Sequence, residues 1–563
     1  MTNYDALVIG TGFGGSVAAC RLSQAGLSVG VLERGRRYDT NPFPRDWNNP
    51  TNGWLWQVGQ GLFDVKHFSH MMVVEGAGLG GGSLIYANVH LRAPKEVFNH
   101  GWPAGYSRAT LDPYYNLVAY MLDINPITKS THFGTQFPDT GGLPPKTVLM
   151  KKMAEAMDRS AQFCLPNIAV DFGEPGVAHE NKFKAEQRGC TYCGECDIGC
   201  NVHAKNTLDF NYLKVAQDKG ADISTQCEVT RIEPAHGGGY MVTFRDHTSG
   251  GQLGEVRAKW VFVCGGAVNS TELLLRCRDQ YATLPHLSQQ LGSNYSGNGD
   301  FLAFAFDTAA PFLPNCGPTI TTGIVYSRKD GDTDNWFIFE EGGCPKEISA
   351  LLQLLNPKRG LFTGLAILSR AELETLLHRS DIKPAVPAEA DHSAIFLAMG
   401  RDRADGRILL HPLTFSLEIN WDRNSNQPLY DVEERFSKDL AMKMGGNAAF
   451  NPFWHLLRLP VSVHNLGGCP LGDTAAEGVV DRDGEVFNYP GLFVLDGAAI
   501  PVAIGANPSH TIAAVAERNV EAAIRKYSAN HGWKAPEAAF AQPIDDPLSD
   551  VTIPPEGVLP IDV

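Results

Sequence analysis

The sequence predicts an α/β fold in which a Rossmann-like dinucleotide-binding domain is interleaved with a second lobe built on a mixed or antiparallel sheet. Three observations carry this. Residues 4–9 (YDALVI) read as a short buried strand running at once into Gly10-Thr11-Gly12-Phe13-Gly14-Gly15 and an Ala-rich helix. Near the other end, GLFVLDGA is apolar until it stops at Asp496-Gly497, and another Ala-rich helix follows Asn507-Pro508. Between about Gly297 and Asn451, runs such as NWFIFEE and FSLEINWD have strand composition, which suits a separate sheet.

The amino-terminal elements read in order as strand, glycine turn, helix, and the strand SVGVLE closed by Glu33. Glycines allow the tight turn and the close approach of backbone to a pyrophosphate, and a terminal acid can hold ribose hydroxyls. Gly10, Gly12, Phe13, Gly14, Gly15 and Glu33 are therefore the first expected cofactor contacts. This element alone admits NAD as well as FAD. A second glycine run follows, Gly76-Ala77-Gly78-Leu79-Gly80-Gly81-Gly82-Ser83-Leu84-Ile85-Tyr86-Ala87-Asn88. It is too rich in glycine for a helix or a packed strand, and Leu79, Leu84, Ile85 and Tyr86 fit poorly with a flexible linker. It reads as backbone lying close to a flat ligand. Further on, Cys227–Ile232 is a strand, GYMVTFRD belongs to a hairpin, and Lys259–Cys264 is a strand ending at Gly265-Gly266 before the helix AVNSTELLL. At the last helix, Asn507 as cap and Pro508 at the first helical position are start signals. Such a start aims unpaired N–H groups and the positive dipole end at whatever lies before it, a site suited to an anion.

The glycine block at 76–88 resembles the first signature of the glucose–methanol–choline (GMC) oxidoreductases, and the stretch from His464 to Asn519 resembles their second. Within that family His464-Asn465-Leu466-Gly467-Gly468-Cys469 is similar to the HPLGGC of the cholesterol-oxidase-like branch. The resemblance implies non-covalent FAD, since Ala87 offers no side chain for the flavin link that a histidine makes there in choline oxidase. It adds Gly80, Gly82, Ser83, Asn88, Val229 (backbone against the adenine), Asp496, Gly497, Asn507 and Pro508 to the expected cofactor contacts. His464 and Asn507 are implied to hold a substrate hydroxyl, with proton loss assisted by His464 and hydride passing to the flavin. Glu340 lies about where cholesterol oxidases place a carboxylate that moves protons on the steroid ring, and a plain strand-end charge is its other reading. His510, one turn into the last helix, reads as structural. The implied activity is oxidation of a bulky, apolar alcohol, sterol- or terpenoid-like, to a carbonyl. Two alternatives stand beside it: a non-redox or light-driven flavoenzyme of the same fold, and the flavin subunit of an electron-transfer complex.

With 563 residues the chain exceeds one ordinary core. The expected division is a cofactor domain in three parts (1–95, 201–296 and 461–530), substrate-domain segments at 96–200 and 297–460, and an extended arm at 531–563. A net charge of −15 argues against a nucleic-acid partner and against a polybasic membrane anchor. No apolar run is long enough to span a bilayer. The first strand begins at the fourth residue, so a cytoplasmic location with reduced cysteines is expected. Cys190, Cys193, Cys196 and Cys200 have the C-x2-C-x2-C-x3-C spacing of bacterial ferredoxins. An iron–sulfur cluster, a zinc ion and metal-free thiols are all open. A cluster would favour a quinone, cytochrome or ferredoxin as electron acceptor over dioxygen. The Leu-rich segment 348–377 reads as packed helices, a lid or an apolar entrance.

Overall fold

The structure, a computed structural model, describes the chain except residues 1–2, 39–41, 46–52, 128–133, 136, 331–332, 346–351, 353–354, 357–386, 554–556 and 558–563. The strand Asn3–Ile9 lies between Val29–Leu32 and Gln252–Val263, parallel to both. Asp222–Ser224 extends this parallel sheet beyond Val29–Leu32, and Leu492–Val494 joins it alongside Val261–Val263. The long strand Gln252–Val263 changes partner along its length. Its first half forms an antiparallel meander with Tyr240–Asp246, which pairs in turn with Cys227–Pro234. Ala6, Leu7, Val8 and Val261 have no exposed surface, as a parallel sheet covered on both faces requires.

The glycine turn leads into the helix Phe13–Gln24, which packs against Ser509–Tyr527 and Tyr212–Asp218. A charged pair is buried at this junction. Arg21 bonds Glu517 at 2.7 Å and Glu537 at 2.6 Å, and the Tyr212 hydroxyl donates to Glu517. Glu537 lies in the carboxy-terminal segment, whose described part carries short helical turns at Pro536–Ala539 and Pro547–Ser549. Farther along the arm, Asp546 pairs with Arg108 and Thr552 donates its N–H to the Ala161 carbonyl.

The second sheet has six strands, in the order Asn447–Phe450, Phe301–Phe306, Ala394–Gly400, Thr333–Glu341, Gly323–Asp330 and Phe163–Cys164, every pair antiparallel. The helix Arg423–Lys443 covers one face, setting Phe436 against Phe337 and Phe339. The chain is thus the expected α/β fold built on two large sheets. One element differs. FSLEINWD, expected in the large sheet, contributes Leu417–Asn420 to a separate two-stranded ladder with Arg407–Leu410. Its composition marks a strand but carries no information about its partner. Most of segment 348–377 lies outside the described residues.

Candidate active site

The carboxyl ends of Asn3–Ile9, Gln252–Val263 and Leu492–Val494 converge on a cavity of about 890 Å³. That is where an open α/β sheet places its ligand. The glycines of the first turn divide by what surrounds them. A Cβ at Gly10 would sit 2.4 Å from the Cys264 carbonyl oxygen, at Gly14 1.9 Å from that of Leu495, and at Gly15 2.1 Å from that of Gly10. Gly10 also has φ +91°, which favours glycine. These three let backbone segments touch. Gly12 and Gly82 also face the cavity, and a Cβ on either would meet no protein atom within 4 Å. They leave room for a ligand. Gly81 seals the two loops together, since its Cβ would lie 2.6 Å from the Gly12 Cα.

Glu33, at the end of its strand, accepts from the Thr11 N–H (2.9 Å) and hydroxyl (2.6 Å) and from the Gly35 N–H (2.8 Å). Burial raises its carboxyl above the ordinary range. Val229 forms part of one end of the cavity. Asp496 and Gly497, just past strand Leu492–Val494, also line it, with Asp496 accepting from the Gly266 N–H and the Ser270 hydroxyl. Gly12, Gly82, Phe13, Glu33, Val229, the uncapped start of helix Phe13–Gln24 and Asp496 together fit an extended dinucleotide such as FAD. Gly15, Gly80, Ser83 and Asn88 do not face the cavity. They shape the loops behind it, Ser83 by donating to the Gly80 carbonyl and accepting from the Leu208 N–H.

His464 and Asn507 both line this cavity, although 43 positions separate them in the sequence. The Asn507 side chain does not cap the last helix, which begins at Ser509 with Pro508 in the cap position and no side-chain cap bond. Its Nδ2 instead donates to Glu340 Oε2 at 3.1 Å, while its Oδ1 has no hydrogen-bond partner. Glu340 has no exposed surface, and burial pushes its carboxyl well above the usual carboxylate range. It is not part of the cavity wall, and its contact with the site runs through Asn507. His510 also lies behind the wall. Its Nε2 meets the Tyr115 carbonyl at 2.9 Å, and burial pushes its imidazole down to about 3.

Sequence reading missed Asp300. It lines the cavity, its Oδ1 lies 2.8 Å from His464 Nδ1, and its Oδ2 accepts from the backbone N–H groups of Val463 and His464. The only local signal was Asn298-Gly299, a turn that could have been placed, although its partner could not. Leu302, Ile320, Ile395, Leu397 and Val463 line the same cavity and add apolar surface to it.

The cysteine quartet is present as free thiols. Among the described residues no group of three or more His, Cys, Asp or Glu side chains is gathered as a metal ion requires. Cys190, Cys193, Cys196 and Cys200 form no such group, and all four are free thiols. Within this loop Cys196–Ile198 is a helical turn, and Gly194 (φ +72°) and Gly199 (φ +86°) flank it, both in the left-handed region of φ. Burial, followed by the neighbouring Cys196, pushes the Cys193 thiol up to about 12. The loop still reaches the site, because Asp197 and Ile198 line the cavity. The buried Lys205 fastens it there, donating to the carbonyls of Cys196 (2.6 Å), Leu84 (2.9 Å) and Tyr86 (3.1 Å).

A two-lobed α/β chain with a glycine-lined dinucleotide cavity and a His–Asn pair at its far end defines a flavoprotein-type oxidoreductase architecture. Residues 4–278 match the amino-terminal and residues 381–516 the carboxy-terminal GMC oxidoreductase family models, and the chain belongs to that family. It is 30% identical over 549 residues to a cholesterol oxidase of Acinetobacter baumannii, covering 92% of this chain and 93% of the relative. It is 23% identical over 571 residues to a long-chain-alcohol oxidase of Arabidopsis thaliana, covering 91% of this chain and 66% of the relative. Among solved structures, pyridoxine 4-oxidase from Mesorbium loti superposes with a TM-score of 0.59 at 15% identity, over 93% of this chain and 99% of the other. No described helix is long and apolar enough to cross a membrane.

Proposed function

We propose that this chain oxidises a bulky, apolar alcohol, sterol- or terpenoid-like, to the corresponding carbonyl with FAD as the bound cofactor. The observation that carries the reading is that His464 and Asn507 share one cavity, which Leu302, Ile320, Ile395, Leu397 and Val463 also line. FAD, when bound, supplies the acceptor for the hydride that leaves the carbinol carbon. The chain's own side chains hold the hydroxyl and move its proton. His464 accepts the proton at Nε2, the ring nitrogen left free by the contact of Nδ1 with Asp300. Asn507 uses one amide N–H on Glu340 and has the second for the alcohol oxygen. Because burial favours the neutral form of Glu340, that carboxyl adds no negative charge beside an oxygen that is losing its proton. Glu340 acts as a positioning group for Asn507. The apolar wall excludes water and orients the substrate. The relatives named as cholesterol and long-chain-alcohol oxidases support the substrate class.

The test is anaerobic mixing of purified protein with a panel of sterols, terpenoid alcohols and long-chain alcohols, following the bleaching of the flavin absorbance. His464→Ala and Asn507→Ala should keep their flavin and bleach about a hundredfold more slowly or worse. A panel in which no alcohol bleaches the flavin overturns the activity. An unimpaired rate in either variant removes that residue from the reaction.

A further inference from the structure

Asp300 makes three contacts to the segment bearing His464. Its Oδ2 accepts the N–H groups of Val463 (2.8 Å) and His464 (3.2 Å), and its Oδ1 faces His464 Nδ1 at 2.8 Å. The carboxylate is almost wholly enclosed, with 1% of its side chain exposed against 15% for the imidazole. Two residues earlier, Asn298 does the same for the segment leading to Asn507. Its Oδ1 accepts from the N–H groups of Ile504 (3.0 Å) and Gly505 (2.9 Å), and its Nδ2 donates to the Ala506 carbonyl (3.0 Å). Gly299 between them has φ +60°, and a Cβ there would stand 2.6 Å from the Gly400 carbonyl oxygen. Asp402 holds the turn from behind, accepting the Gly299 N–H at 2.9 Å and the Ser296 hydroxyl at 2.8 Å. One three-residue turn thus grips the two segments that carry His464 and Asn507.

We propose that Asn298-Gly299-Asp300 is the positioning element of the active site, and that Asp300 fixes His464 as the tautomer with its proton on Nδ1 and a bare Nε2 toward the substrate. The inference rests on the reading of His464 as proton acceptor. The chemistry of the donors requires it. A carboxylate only accepts, so it can satisfy two backbone N–H groups and an imidazole N–H together. Nδ1 must then carry the proton, and Nε2 is left with its lone pair. In the reaction the alcohol O–H bond breaks, an N–H bond forms at Nε2, and the electron pair stays on the substrate oxygen. The imidazolium so formed has its other N–H on a buried carboxylate, which stabilises it. An amide at position 300 cannot serve all three donors. If its oxygen stays on the backbone N–H groups, its NH2 faces Nδ1, and the imidazole must carry its proton on Nε2, the wrong nitrogen.

The test uses purified holoprotein carrying Asp300→Asn, His464→Ala or both, with flavin content and melting temperature as folding checks. Proton spectra of protein labelled at histidine should contain a slowly exchanging low-field Nδ1–H resonance that disappears in His464→Ala and in Asp300→Asn. With the best alcohol of the panel, Asp300→Asn should lower the limiting rate of flavin reduction about a hundredfold and change the half-saturating concentration less than about threefold. In the His464→Ala background Asp300→Asn should cost nothing further, because Asp300 acts through that imidazole. The proposal is overturned by a near-normal limiting rate in Asp300→Asn, by a loss confined to half-saturation, or by additive losses in the double variant. Should His464→Ala prove unimpaired, it is the reading of His464 as base that fails. The resonance then decides the dyad alone, its absence from the wild-type spectrum being disproof. The same comparison of wild type with His464→Ala decides the matter if Asp300→Asn does not fold.

Discussion

Gly12 and His510 show how differently two residues near one site can be constrained. Gly12 borders empty space, so a side chain there displaces ligand and leaves the protein packing alone. Gly12→Val is expected to fold, with a far-ultraviolet spectrum like that of the wild type, and to purify with little flavin. A full flavin complement in that variant would show that the pyrophosphate does not cross this turn. His510 is constrained by burial. Its imidazole is held neutral down to about pH 3, whereas the unfolded chain protonates it near its ordinary 6.5. Between those values the unfolded state binds more protons, so stability rises with pH across that window. The contribution is complete above about pH 6.5 and is lost as pH falls toward about 3, on the order of a few kcal/mol. His510→Gln should flatten the acid side of a melting-temperature profile recorded by calorimetry between about pH 7 and about pH 5. An unchanged slope would mean that the acid sensitivity lies elsewhere.

The same glycine turn makes a sharper demand at the scale of elements. Gly14 is where the helix Phe13–Gln24 meets the end of strand Leu492–Val494, and a Cβ there would stand 1.9 Å from the Leu495 carbonyl oxygen. Gly14→Ala must push the two elements apart, at an expected cost of about 2–4 kcal/mol in chemical denaturation, while Gly12→Ala should cost less than about 1 kcal/mol. Equal losses in the two variants would refute this division of the turn. Lys205 makes a comparable demand on the cysteine loop. Replacing it with methionine leaves the carbonyls of Cys196, Leu84 and Tyr86 without their shared donor. Each unsatisfied buried acceptor costs about 1–3 kcal/mol. Faster hydrogen exchange over residues 190–205 and 84–86 is the expected signature, and unaltered exchange would mean that the loop is held by other contacts. Both demands are local close approaches, but only one was legible. The amino-terminal unit could be read because its chemistry is contiguous: strand, turn, helix, strand and acid follow one another. Lys205 and the cysteine spacing could not, because what the loop gathers depends on which turns it makes.

For the whole molecule, the buried Arg21 joins the first helix, the last helix and the carboxy-terminal arm through Glu517 and Glu537. Removing residues 536–563 should leave the arginine half-compensated and lower the melting temperature by several degrees. A truncated protein that melts with the full chain would make the arm an ornament. That His464 and Asn507 line one cavity was legible by resemblance, since both sit in one stretch with a recognisable pattern. Asp300 was not. It lies 164 positions before its partner, and nothing in a lone acid after Asn-Gly announces a distant imidazole. The Asn507 side chain was misjudged for a related reason, because a capping pattern describes only the next few residues and Glu340 competes from 167 positions away.

The cavity wall begins at Ile9 and is not complete until Ile512. Its floor needs the first strand and its far side needs the last helix, so no partial chain emerging from a ribosome contains it. Loading of a dinucleotide is therefore a late act of maturation. A cell short of flavin should accumulate a complete but loosely closed polypeptide, vulnerable to proteases at the seam between its two ends, and supplementation with riboflavin should protect it more than a lower growth temperature does.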